Sequence, residues 1–145
     1  MRPPSKKINF YRDDIVEVCS KEQGFEGSYY EARVISHLDN GLYVVEYKNL
    51  LENDESGPLV ETVYPKELRP HPPKISARGY ALNEKVDAFD NDGWWVGKIT
   101  GRTGLNYHVY FEYCDQEIAY PVSQLRVHQE FIHGKWVVDK KLRAR

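Results

Sequence analysis

The chain is written twice. "DIVEVC" at 14–19 is answered by "EKVDAF" at 84–89, and "SYYEARVI" at 28–35 by "GWWVGKIT" at 93–100. "LYVVEYK" (42–48) is answered by "YHVYFEY" (107–113), which sets Glu46-Tyr47 against Glu112-Tyr113. "VYPKELRP" (63–70) is answered by "AYPVSQLRV" (119–127), which sets Tyr64-Pro65 against Tyr120-Pro121 and Leu68-Arg69 against Leu125-Arg126. Self-similarity at a period of roughly 60–65 residues restricts the fold more than any single motif, because one small unit must be used two times.

The unit is a β unit. Its segments alternate apolar and polar residues, and no helical period is sustained across them. Asn40-Gly41 between two such runs predicts a hairpin turn. Four or five short strands per copy suit a small, strongly bent barrel. The 145 residues divide into a first barrel at 8–70, a proline-rich connection at 71–80, and a second barrel at 81–141. Prolines keep the connection extended and short, so the copies are expected to pack together. The second copy ends in "QEFIHGKWVVDKK" (129–141), which is too apolar for a free tail. It predicts a C-terminal hairpin turning at His133-Gly134, laid against one barrel or across both.

Composition removes several function classes. A net charge of −2 lacks the global basic field of a nonspecific nucleic-acid binder. Two cysteines, Cys19 and Cys114, do not make a disulfide scaffold and have no zinc spacing, so ordinary thiols in a reducing compartment are expected. The N-terminal "MRPPSKKINF" is not a signal peptide, and no run approaches membrane-spanning length, so a soluble intracellular protein is expected. Nucleophile-elbow, zinc-protease, phosphate-loop and dinucleotide motifs are missing from the sequence. No catalytic residue, cofactor or metal ligand is assigned.

The aromatics are the informative residues: 11 Tyr, 3 Trp and 5 Phe, with adjacent pairs Tyr29-Tyr30 and Trp94-Trp95 at matching points of the repeat. Strand neighbours face opposite ways, so one ring of each pair is expected to face outward. A methylated ammonium keeps its charge but loses donors. Aromatic faces recognise it through cation–π attraction, and a carboxylate accepts any N–H that remains. The copies differ in acid. The first carries "NLLENDESGPL" (49–59), with Glu52, Asp54 and Glu55, where the second has "CDQEI".

"GFEGSYYEARVI", "VVEYKNLLENDESGPLVETVYPKELRP" and "DGWWVGKIT…YFEYCD…LRVHQEFIHGKWV" resemble a plant Agenet tandem, over roughly residues 10–140. Agenet modules are Tudor-like. The resemblance implies an all-β fold of two small Tudor-like barrels packed in tandem, with the C-terminal hairpin as an extension. It implies a nuclear, non-catalytic reader of a methylated histone H3 tail, closest in pattern to the heterochromatin readers of dimethylated lysine nine that act in gene silencing. Other chromatin proteins are further implied partners, and no membrane is. A Tudor cage takes an aromatic ending the first strand, one opening the second, and an aromatic or acid from the third strand and its loop. In the first copy Tyr30 and Tyr47 match, Cys19 falls at the first-strand position, Phe25 can replace it from the longer loop, and Asp54 or Glu55 supplies charge. Glu22, Glu26, Glu52 and Glu55 then form an acidic surface for a basic tail. In the second copy Phe89, Trp95, and Phe111 or Tyr113 match, and in both copies the resemblance implies that the second ring of the adjacent pair points into the barrel mouth and the first faces outward. Acid favours the first copy as the reader, with the tryptophans as scaffold. Two alternatives stay open: an RNA or DNA module using Lys6, Lys7, Arg12, Lys135, Lys140, Lys141, Arg143 and Arg145, and a scaffold for unmodified protein partners.

Overall fold

The computed structural model describes residues 8–19, 27–76 and 78–138. Among them there are twelve strands and no α-helix. The first copy supplies β1 (Ile15–Cys19), β2 (Ser28–His37), β3 (Tyr43–Leu51), β4 (Pro58–Val63) and β5 (Leu68–Pro70). The second supplies β6 (Lys85–Asp90), β7 (Gly93–Thr103), β8 (Asn106–Phe111), β9 (Gln116–Pro121) and β10 (Leu125–Val127). In each, four strands form an antiparallel meander, and the short fifth strand returns to pair with the first.

The repeat holds down to single bonds. Asp14 and Glu84 each cap the turn that opens their copy, accepting from the N–H of Tyr11 and Ala81 at 2.8 and 3.0 Å. The Tyr43 hydroxyl accepts the Phe10 N–H at 3.2 Å, and Tyr107 accepts that of Tyr80 at the same distance. The predicted turn at Asn40-Gly41 is present. Gly41 has φ +90°, a left-handed conformation that glycine takes without strain, and Asn40 Oδ1 accepts the Leu42 N–H.

Three expectations need correction. Among the described residues the expected barrels are curled sheets without ladder closure: β4 pairs only with β3, β5 pairs only with β1, and a 3-10 turn at Pro65–Glu67 joins the two. Register also moves two pairings of the repeat. Val45 faces Val34 as Val109 faces Ile99, so Tyr47 corresponds to Phe111, and Tyr113 lies beyond the strand. Tyr43 faces Val63 as Tyr107 faces Tyr120, so Tyr120 answers Val63. That single-residue slip changes burial completely, because strand faces alternate: Tyr120 is 4% exposed and Tyr64 is 56% exposed.

The copies join edge to edge. Ser28 and Tyr29 of β2 pair with Trp95 and Trp94 of β7, so the sheet runs β5-β1-β2-β7-β6-β10 with near twofold symmetry about this seam. Inward rows from both copies form one apolar cluster, including Val16, Val34 and Val45 of the first and Val86, Ile99 and Val109 of the second. The tail folds as expected, with β11 (Glu130–Ile132) and β12 (Lys135–Val137) turning at His133-Gly134. It crosses back to the first copy, where Trp136 stacks near Arg69 at 4.9 Å. Cys19 and Cys114 are not joined in a disulfide.

Candidate functional site

Seam pairing brings the two aromatic pairs together, and the pleat sends their members to opposite faces. On the outer face Tyr29 and Trp94 lie side by side. Arg69 sits 3.6 Å from the Tyr29 ring centre, and Arg126 sits 4.2 Å from that of Trp94. Both arginines converge on Glu17. Its Oε1 accepts Arg69 Nε and Nη2 at 3.0 and 2.7 Å, and its Oε2 accepts Arg126 Nη1 at 2.7 Å. Arg126 Nε also donates to Asp87 at 2.8 Å. His128 lies between Asp87 and Glu130, 2.7 Å from each. Burial alone pushes this imidazole down, but hydrogen bonds to the two carboxylates outweigh it and raise it to about 9. Outward-facing first rings were expected; here the outer face is a covered ionic junction, and Tyr29 is buried.

On the inner face the second rings make a row. Tyr30 meets Tyr47 at 6.5 Å between ring centres and 84° between planes, and meets Trp95 at 6.3 Å and 82°. Trp95 continues to Tyr113, stacked at 5.5 Å, and Tyr113 to Phe111 at 5.8 Å. Tyr30 and Tyr47 of the expected first-copy cage and Trp95, Phe111 and Tyr113 of its second-copy alternative therefore lie in one run of rings through the seam. Tyr30, Tyr47, Trp95 and Phe111 are buried, while Tyr113 is half exposed. Burial raises the Tyr30 hydroxyl, Ser28 pulls it partly back, and Asp92 adds to the rise. Burial pushes Tyr113 up to about 12, with Cys114 and Asp90 adding to it. The phenols stay neutral at physiological pH.

The tight turn after β6 lets Tyr30 reach across. Asn91 and Asp92 both have positive φ, which makes a two-residue hairpin turn and delivers Gly93 to the Tyr30 ring. A Cβ on Gly93 would lie 2.7 Å from Tyr30 Cε1. This packing role of Gly93 was not legible, since it belongs to a contact between copies.

The remaining candidates divide. Phe89 stands opposite Trp94 and packs against its ring at 5.2 Å, so register places it on the other face from Trp95. Asp54 lies at the β3–β4 hairpin tip, where its carboxylate takes the Ser56 N–H at 3.0 Å and is held below its ordinary range by contacts to Ser56. Glu52 accepts the Val60 N–H at 3.2 Å and shapes the same hairpin, and Glu55 sits in its turn with φ +58°. Two other acids touch the aromatic row: Glu61, whose Oε1 accepts the Tyr47 hydroxyl at 2.7 Å, and Asp90, whose backbone carbonyl accepts the Trp95 indole N–H at 2.7 Å and whose carboxylate accepts the hydroxyl of Tyr120, packed on Phe111, at 2.6 Å. "PLVETV" gives no clean alternation that would single out Glu61; the pairing of β4 opposite Val45 puts it on the inward row. Glu22, Phe25 and Glu26 lie outside the described residues, as do Lys6, Lys7, Lys140, Lys141, Arg143 and Arg145.

The Agenet domain family model matches residues 13–73. The Arabidopsis thaliana Protein AGENET DOMAIN (AGD)-CONTAINING P1 is 34% identical over 136 residues, covering 93% of this chain and 26% of that protein. The chain thus spans about a quarter of that relative's length. The crystal structure of Arabidopsis thaliana AGDP1 AGD34 superimposes with a TM-score of 0.86 at 32% identity, over 90% of each chain. The ADCP1 tandem Agenet domain 3-4 structure gives 0.81 at 30% identity, over 90% of this chain and 88% of that one. Matching in sequence, strand plan and tandem arrangement, this chain belongs to the Agenet family of Tudor-like modules.

Proposed function

We propose that the chain is a non-catalytic reader of a methylated lysine in a histone H3 tail, foremost dimethylated lysine nine, acting in the nucleus in heterochromatic silencing. The Agenet family is generally non-catalytic and commonly serves in chromatin or protein interactions. Residues 8–70 and 81–141, joined by 71–80, act in this reading as one two-copy unit.

A single observation carries the proposal: the run of rings at Tyr47, Tyr30 and Trp95, with Tyr30 nearly perpendicular to each neighbour and a carboxylate bonded to Tyr47. Perpendicular walls can present faces to an ammonium from several sides. Desolvated rings give cation–π attraction its largest value, about 2 kcal/mol or more per good contact. The acids of the 52–55 hairpin tip supply a field suited to a strongly basic tail.

Calorimetric titration of the whole chain with H3 peptides tests this. Dimethyl-lysine-nine peptide is expected to bind at least tenfold tighter than the unmodified peptide. Equal affinities would overturn the cage reading and leave the scaffold for unmodified partners.

A further inference from the structure

Among the described residues β4 is an edge strand, paired only with β3. Glu61 stands directly opposite Val45, and Val63 opposite Tyr43. Val45 and Tyr43 are wholly buried, so Leu59, Glu61 and Val63 form the inward row of β4. The second copy fills the same register position with Ile118, opposite Val109. Ile118 is 37% exposed, which places this position at the mouth of the curled sheet. Glu61 is likewise exposed, and its carboxylate reaches back to the Tyr47 hydroxyl at 2.7 Å.

We propose that Glu61 is the specificity-determining residue of the first-copy end of the aromatic row, where it selects a lysine ammonium that still carries an N–H over a trimethylated one. This rests on the methyl-lysine reading above. A carboxylate offers about four acceptor positions, and Tyr47 occupies one. A mono- or dimethylammonium donates to another. A trimethylammonium brings equal charge but only methyl groups, so it dries the carboxylate without replacing its hydrogen bonds to water. The phenol–carboxylate bond also increases electron density in the Tyr47 ring, and with it the attraction of the ring face for a cation. The Ile118 position can do none of this.

An inward charge on an edge strand has another use, since it discourages pairing with a second sheet. That role needs no ligand, and binding selectivity separates the two. The test is Glu61→Gln in the whole chain, which keeps shape and an acceptor for Tyr47 but removes the charge. Unmodified, dimethyl and trimethyl lysine-nine peptides are titrated, with a thermal melt to verify folding. The wild type is expected to prefer dimethyl over trimethyl. In the variant dimethyl affinity falls about tenfold and trimethyl affinity about threefold or less, so the preference collapses. An unchanged dimethyl-to-trimethyl ratio overturns the assignment of Glu61 and leaves the reader standing. A wild type that ignores methylation overturns both.

Discussion

The two faces of the β2–β7 seam use the same chemistry to opposite ends. On the outer face, Tyr29 and Trp94 hold the protein's own cations, Arg69 and Arg126, whose charges are matched by Glu17 and Asp87. On the inner face, Tyr30 and Trp95 meet each other edge to face, and the charges beside the row are carboxylates. One face is an ionic joint that is complete in itself. The other has rings and negative charge, the complement of a cation from outside. A pair of adjacent aromatics lets one strand serve both.

The sharpest way to break this contrast is to remove the acid that both arginines share. Glu17 is wholly buried, and it receives Arg69 and Arg126 from the two copies. Glu17→Ala leaves guanidinium groups under cover without their counter-charge. A loss of about 3–5 kcal/mol in unfolding free energy is expected, because breaking a buried ion pair costs far more than the pair contributes against an apolar replacement. Urea denaturation measures it. A loss below about 1 kcal/mol would mean that the outer face is not a structural joint.

The joint also predicts its own pH dependence. Three carboxylates (Glu17, Asp87, Glu130) face three cations only when His128 is protonated. The folded imidazole titrates at about 9, above its ordinary value of 6.5. Its stabilisation is therefore complete below about pH 6.5 and is lost as pH rises through about 9. The size is on the order of 3 kcal/mol. Unfolding measured from pH 6 to 10 should show this decline, and His128→Gln should flatten it. An inner-face variant such as Tyr30→Ala should leave the slope unchanged.

Strands, turns and the repeat were legible in the sequence because each depends on residues close together. Alternation in "DIVEVC" and the turn at Asn40-Gly41 are local facts. The joint was not legible. Glu17 and Arg126 are 109 residues apart, and no local pattern announces that they bond. Within the site, Tyr30 and Tyr47 do meet, two positions that the Tudor resemblance set together. Phe89 does not reach Trp95's face, because cross-strand register decides which rings share a face. Asp54 drew attention through the acidity of its hairpin, whereas Glu61 lies within an ordinary strand and becomes visible only opposite Val45.

A smaller change sharpens the contrast from the inner side. Gly93→Ala would place a methyl 2.7 Å from the Tyr30 ring and 3.2 Å from the Tyr29 carbonyl oxygen. The ring must turn away. An overpacking cost of about 1–2 kcal/mol in stability is expected. Affinity for a dimethyl-lysine peptide should fall by at least threefold as the Tyr30 wall shifts, while the stability slope between pH 6 and 10 stays as in the wild type. Full affinity in a destabilised Gly93→Ala protein would detach Tyr30 from the binding site.

The smallest effect belongs to the hairpin tip. Glu52, Asp54 and Glu55 lie beyond the contact between Tyr47 and Glu61, and Asp54 is engaged with the Ser56 N–H. On the proposed basic tail their carboxylates would act through solvent, where screening reaches about 10 Å at 0.1 M salt. Replacing all three by their amides should slow association and lower affinity by about threefold at low salt, with the difference vanishing near 0.5 M. The ratio of dimethyl to trimethyl affinity should not move. If that ratio collapses as it does for Glu61→Gln, the tip itself enters the cage, and the division between a steering acid and a selecting acid fails.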